Sequence, residues 1–297
     1  YKAAFELDNK SGVAAYKAAK SLWQLNQTRE AINWLDKAIK ADPNQLRAYI
    51  LKADYESQKY NFAAAAKTLS AAQNRFLQSH EVTKAQALLE FRKNNMFGAI
   101  QYGERAIRLY DADVELLTLL AQAHIFVYMN APNTRKEDQD RNEISKQAAR
   151  RYSGRAIDLE PAWPESQITY AKLLAAIDGP VRGEVYLKEL IKAYPYTLEY
   201  RIALAEFYKQ YEKFTDSAKI YEEVVNIDPK NKKASFGLAE SYRILNQPDM
   251  AQRYYNITSA LDPSDVEPMF ANAKLLIETA SGREARAKNE QALAKLQ

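Results

Sequence analysis

Residues 217–242 read SAKIYEEVVNIDPKNKKASFGLAESY. Ala218, Tyr221, Val224 and Val225 recur at the spacing of one apolar helix face. Pro229 has no amide hydrogen and clashes with the turn before it, so this helix ends at Asp228-Pro229. Lys230, Asn231 and Lys232 form a short polar connection, after which Phe236, Leu238, Ala239 and Tyr242 resume helical spacing. Two helices joined this tightly must run antiparallel and pack on each other.

The break recurs. Pro161, Pro195, Pro229 and Pro263 stand 34 residues apart, and a fixed period in this range marks a stacked repeat. The same step toward the N-terminus reaches Asp111, Leu77, Pro43 and Asn9 once 16 extra residues are allowed between Asp111 and Pro161. A second register supports the first. One slot reads Ala19, Ala53, Ala87, Ala121, Ala171, Ala205, Ala239 and Ala273; its counterpart in the following helix reads Ala31, Ala65, Ala99, Ala149, Gly183, Ser217, Ala251 and Ala285. Small residues at both slots let paired backbones approach closely, where a larger side chain would overpack.

These residues resemble the tetratricopeptide repeat, with the best local copies in residues 201–229, RIALAEFYKQYEKFTDSAKIYEEVVNIDP, and 18–43, AAKSLWQLNQTREAINWLDKAIKADP. Leu204, Ala205, Tyr208, Ser217, Tyr221 and Pro229 fall on the family's signature slots in the first copy. Ala19, Leu22, Ala31, Leu35, Ala38 and Pro43 do so in the second. The third unit departs from the pattern, with Glu90 in place of a large apolar residue and Gly103 in place of an aromatic. The resemblance implies an all-α fold, a right-handed α-solenoid or superhelix of antiparallel helix pairs, whose first helices line a concave groove. Residues 1–11 are expected to be the remnant of a preceding repeat. Residues 12–297 are expected to form one array of eight repeats, closed by a capping helix near 283–296.

Composition agrees with helices: eight glycines and ten prolines in 297 residues, and no β-hairpin signal. No apolar run approaches the ~18 residues a transmembrane helix requires. Without cysteine, disulfides, thiolate metal sites and cysteine nucleophiles are excluded. The only histidines, His80 and His124, are 44 residues apart, and His124 takes a slot suited to a core aromatic, so it is read as a satisfied, partly buried side chain. Carboxylates are spread along helix faces, and neither a phosphate loop nor a nucleophile elbow occurs. An enzyme is therefore not expected, and neither a cofactor nor a metal is called for. A net charge of +4 over 42 basic and 38 acidic residues disfavours a nucleic-acid surface, although the cluster ARRYSGR at 149–155 is the place to seek one.

A binding surface remains. The family's groove places Tyr16, Lys20 and Trp23 on one face of the first helix, followed by Ile50 and Asp54, by Lys84, Leu88, Phe91 and Arg92, and by Thr118, Gln122 and Phe126. Tyr16, Lys20, Trp23, Asp54, Lys84, Phe91, Arg92, Gln122 and Phe126 are the candidate partner-binding residues, because anchors flanked by charges suit a peptide or partner helix. Chaperone-binding members of the family use a carboxylate clamp of Lys and Asn. The corresponding slots here hold Tyr16 with Lys20 and Ile50 with Asp54, which argues against that ligand. The polar insertion NAPNTRKEDQDRNEIS at 130–145 is expected to be a mobile surface loop. The whole reads as a protein-interaction scaffold in a bacterial assembly or cell-envelope machine, periplasmic or envelope-associated in preference to cytoplasmic. A periplasmic scaffold for polysaccharide export is the alternative, and an RNA-processing accessory a distant one.

Overall fold

The computed structural model describes residues 1–8, 11–130, 132, 134–263 and 265–279, and every regular element among them is an α-helix. The capping helix expected near 283–296, and with it Ala285, lies outside the described residues. Two compact units divide the chain, Tyr1–Ile177 and Asp178–Gln297.

The first unit opens with α1 (Lys2–Leu7) and continues in antiparallel pairs. They are α2 (Gly12–Gln24) with α3 (Thr28–Ala41), α4 (Leu46–Gln58) with α5 (Phe62–Arg75), and α6 (His80–Arg92) with α7 (Met96–Leu109). The longer α8 (Val114–Asn130) pairs with α9 (Lys136–Leu159), and α10 (Pro164–Asp178) follows. In the second unit α11 (Pro180–Ala193) precedes α12 (Leu198–Gln210) and its partner α13 (Phe214–Ile227). Then come α14 (Lys232–Ile244) with α15 (Pro248–Leu261), and α16 (Val266–Glu278).

The Asp-Pro break has a local cause. Asp228 closes α13 by donating its N–H to Val224 O at 2.8 Å, while its side chain accepts from Lys230 N at 3.1 Å and so bridges the proline. Asp42 repeats both bonds, to Ala38 O at 2.9 Å and from Asn44 N at 3.0 Å. At the other end of the repeat, the turn out of the first helix passes through a left-handed residue. Asn26, Tyr60, Asn94, Glu212 and Asn246 all have φ between 57° and 60°. In each case the next amide reaches back five residues, as in Gln27 N to Leu22 O and Lys213 N to Tyr208 O, the bond of a Schellman cap. Asn61 and Asn95 then cap α5 and α7 by accepting from Ala64 N and Gly98 N.

Both small-residue slots are buried wherever they are described. In the sixth repeat they meet directly, with Ser217 Oγ donating to Ala205 O at 2.8 Å. The two departures in the third repeat are accommodated. Glu90 pairs with Lys93 at 2.7 Å and accepts from Asn95 Nδ2 at 2.6 Å, and the place of the missing aromatic at Gly103 is taken by Leu120, whose Cδ2 stands 2.7 Å from where a Cβ would be. A similar close approach occurs in the second unit, where a Cβ at Gly237 would lie 2.3 Å from Tyr221 Cζ. Tyr221 is buried in a cluster with Ala205, Ala218, Val224 and Leu238. Gly237→Ala should therefore lower stability in urea melts by about 1–3 kcal/mol from overpacking, despite the ~1 kcal/mol that helix propensity alone would favour. An unchanged or raised midpoint would show that the ring yields freely.

The insertion is corrected over most of its length: residues 136–145 belong to α9, which runs for 24 residues against 14 in α3, α5 or α7. The neighbouring α8 is lengthened as well, to 17 residues. In this repeat Tyr128-Met129 stands where the others turn, and α8 runs through that position to Asn130. The inserted helix turns Asp138, Asn142, Ser145 and Ala149 inward at helical spacing. Asp138 is only 3 % exposed and is met by Arg135 Nε at 3.2 Å, while Asn142 Nδ2 donates to Pro132 O at 3.3 Å. Its inward stripe is polar, which is why hydrophobic periodicity missed it.

Candidate functional site

The side chains of α4 and α6 enclose a groove of about 700 Å³, wholly within the first unit. Its floor is apolar, built by Ile50 and Leu51 of α4 and by Ala85, Leu88 and Leu89 of α6, with Tyr16 of α2 contributing from one side. Parallel packing of successive first helices carries both sets of residues to one cleft, and this juxtaposition follows from the repeat.

Charged groups stand at both ends. Toward the ends of α4 and α6, Arg92 Nη1 pairs with Asp54 Oδ1 at 2.7 Å, approaches Asp54 O at 3.3 Å and donates to Ser57 Oγ. Both charges are largely covered, so the pair is held in one geometry. Toward the helix starts, Lys84 Nζ lies 2.9 Å from Asp113 Oδ2 and 2.5 Å from Glu115 Oε2, while His80 Nε2 lies 2.8 Å from Asp113 Oδ2. The other His80 nitrogen, Nδ1, is 3.0 Å from Ala106 O. Burial alone would raise the Asp113 carboxyl, but bonds from Leu116 N, His80 and Lys84 outweigh it and hold the group below the usual range. Burial likewise pulls Lys84 down, and its bonds to Glu115 and Asp113 prevail, keeping the ammonium above its ordinary value.

Of the residues expected to bind a partner, Tyr16, Asp54, Lys84 and Arg92 line this groove. Trp23 is placed elsewhere: its ring stacks on Tyr55 with centroids 3.6 Å apart and planes at 7°, sealing the first repeat to the second. Burial, followed by the charge of Asp54 and the proximity of Tyr16, pushes the Tyr55 phenol up to about 12. Lys20 is exposed and does not line the groove. Phe91 packs against Met96, Ala123 and Val127, and Gln122 Nε2 donates to Glu165 Oε1 at 2.6 Å and Thr169 Oγ1 at 3.0 Å, tying α8 to α10. Phe126 lines a separate cleft of about 370 Å³ with Phe97 and Arg141. Ser57, His80, Asp113 and Glu115 were not read from the sequence as groove residues. The available signal was complementarity at about one period: each of their polar or charged partners lies 29 to 35 residues away.

His124 is buried, as its slot suggests, but it is not satisfied. Its ring stacks on Tyr152 at 5.8 Å, and neither ring nitrogen has a hydrogen-bond partner. Among the described residues no group of three or more His, Cys, Asp and Glu could hold a metal ion, and no helix is long and apolar enough to cross a membrane. The groove offers preset charges around an apolar floor, which is the chemistry of recognition.

Residues 16–73 match a family model described as tetratricopeptide repeat. No curated protein matches the sequence. Among solved structures, a tetratricopeptide repeat protein from Parabacteroides merdae is 10 % identical, with 95 % of this chain and 99 % of that one covered and a TM-score of 0.60. The human IFIT1 dimer with m7Gppp-AAAA is 14 % identical over 99 % of this chain and 64 % of that one, at a TM-score of 0.64. The Cut9 and Hcn1 hetero-tetramer of the APC/C is 13 % identical over 96 % of this chain and 53 % of that one, at 0.53. At these identities the likeness extends to the fold alone.

Proposed function

We propose that this tetratricopeptide repeat protein acts as an interaction scaffold whose α4–α6 groove holds a segment of a protein partner. Proteins of this family generally serve as protein–protein interaction scaffolds. The observation that carries the finer reading is the groove itself, an apolar floor closed at both ends by charged groups already fixed by ion pairs. Fixed groups lose little freedom when a ligand arrives, so more of the contact energy appears as affinity. Helices of 13 residues rise over about 20 Å, room for about six residues of extended peptide. The apolar floor would take its aliphatic or aromatic side chains. For the partner itself we keep a bacterial cell-envelope assembly, on composition alone, and fractionation of the source cells tests that compartment.

Peptides selected from a random display library against the purified protein, then measured by fluorescence anisotropy, test the groove. Ile50→Asp with Leu88→Asp places two charges on a half-buried floor and should weaken selected peptides by at least about tenfold while circular dichroism stays unchanged. Peptides that bind the folded variant as well as the parent protein would move the site away from this groove.

A further inference from the structure

A second surface lies on another side of the same helix. A cleft of about 520 Å³ is bounded by Gln73 of α5, Gln78 of the following turn, Thr83 and Gln86 of α6, and Tyr102, Arg105 and Arg108 of α7. At 3.6 residues per turn, positions 83 and 86 face away from positions 84, 88 and 92, which line the groove. The two surfaces are therefore separate.

The cleft lining carries two guanidinium groups and no carboxylate, beside three amides, a hydroxyl and a phenol. Neither Arg105 nor Arg108 has an ion pair among the described residues. The nearest carboxylate along α7, Glu104, faces the Tyr152 hydroxyl at 3.5 Å. Arg105 is steadied from below, its guanidinium 5.8 Å from the Tyr102 ring centre. Spaced three residues apart on one face of α7, the two arginines project together into a cleft whose amides can donate beside them.

We propose that this cleft docks an acidic segment of a protein partner, with Arg105 and Arg108 each receiving a carboxylate and the glutamines binding its backbone. Arginine pairs recognise acidic motifs through charge-assisted, often bidentate bonds. Such a contact makes association strongly salt-dependent. The inference is independent of the groove: losing one surface leaves the other able to bind.

The test uses the whole chain and a fluorescein-labelled decaglutamate peptide, followed by anisotropy at low and physiological salt. Arg105→Glu with Arg108→Glu should weaken the peptide by at least about tenfold. Lys219→Glu with Lys230→Glu makes the same change in net charge at exposed positions of the second unit, and should change binding by no more than about twofold. Both variants are checked for helicity. Equal losses in the two variants would reduce the effect to net charge and overturn the proposal, as would a parent protein that does not retain the peptide. A labelled oligouridylate that binds more tightly than the peptide, and through the same arginines, would assign the cleft to nucleic acid instead.

Discussion

Ala239→Leu is expected to lower the stability of the second unit by about 1–3 kcal/mol, and by more if the backbones cannot part. Ala239 is completely buried at the contact of α14 with α15, in a cluster with Ala251, Tyr255 and Leu275 and with Phe236 and Tyr242 around it. Leucine adds three carbons where no space exists, and neighbouring side chains this tightly packed cannot absorb them without leaving their rotamers. Urea titration followed by circular dichroism reads the effect. Ala251→Ser is the companion, since Ser217 already occupies that slot in the preceding repeat and satisfies its hydroxyl on Ala205 O. The serine variant should cost little. An Ala239→Leu protein that unfolds at the parental midpoint would show that the slot is not the point of closest approach.

Acid should unfold the first unit through His124. Burial, assisted by the nearby charge of Arg151, pushes this imidazole from 6.5 down to about 4. Above pH 6.5 the side chain is neutral in both folded and unfolded chains and adds no pH dependence. Between 6.5 and about 4 the unfolded chain takes up a proton that the folded one refuses, so stability falls as the pH falls. At about 1.4 kcal/mol per pH unit, the loss across that window approaches about 3 kcal/mol. His124→Phe keeps the stack on Tyr152 and removes both unpaired nitrogens, so it should flatten this part of the profile. His80 is common to both proteins, and the difference between their curves from pH 4 to 6.5 therefore reports on His124. Parallel curves would mean that the buried ring admits a proton without penalty.

The repeat was legible because its determinants are local. Proline is excluded from a helix beyond its first turn, and a backbone contact demands a small residue in every copy, so Pro229 and Ala239 announce both the period and the pairing. The groove was less legible because its working groups are set by pairs from different repeats. Asp54 and Arg92, 38 residues apart, read individually as free charges, yet they neutralise each other. Trp23 reads as an exposed anchor, but Tyr55, 32 residues on, already covers one face of it. His124 followed the same logic in reverse: its slot correctly implied burial, while whether a partner met its nitrogens depended on α9. The polar stripe of the insertion was hidden for a different reason. Asp138 and Asn142 are turned inward by hydrogen bonds whose acceptors and donors no hydrophobic pattern records.

The left-handed turn at Asn26, Tyr60, Asn94, Glu212 and Asn246 is closed by the same backbone bonds whatever side chain it carries. A gene segment duplicated or lost in steps of 34 codons would therefore rejoin one such turn to an equivalent one, leaving both flanking helices intact. Recombination can alter the number of repeats in this way with little injury to folding. An insertion of any other size has no equivalent junction to fall into. The one present is taken up inside a single helix pair, by extending α8 and α9 together.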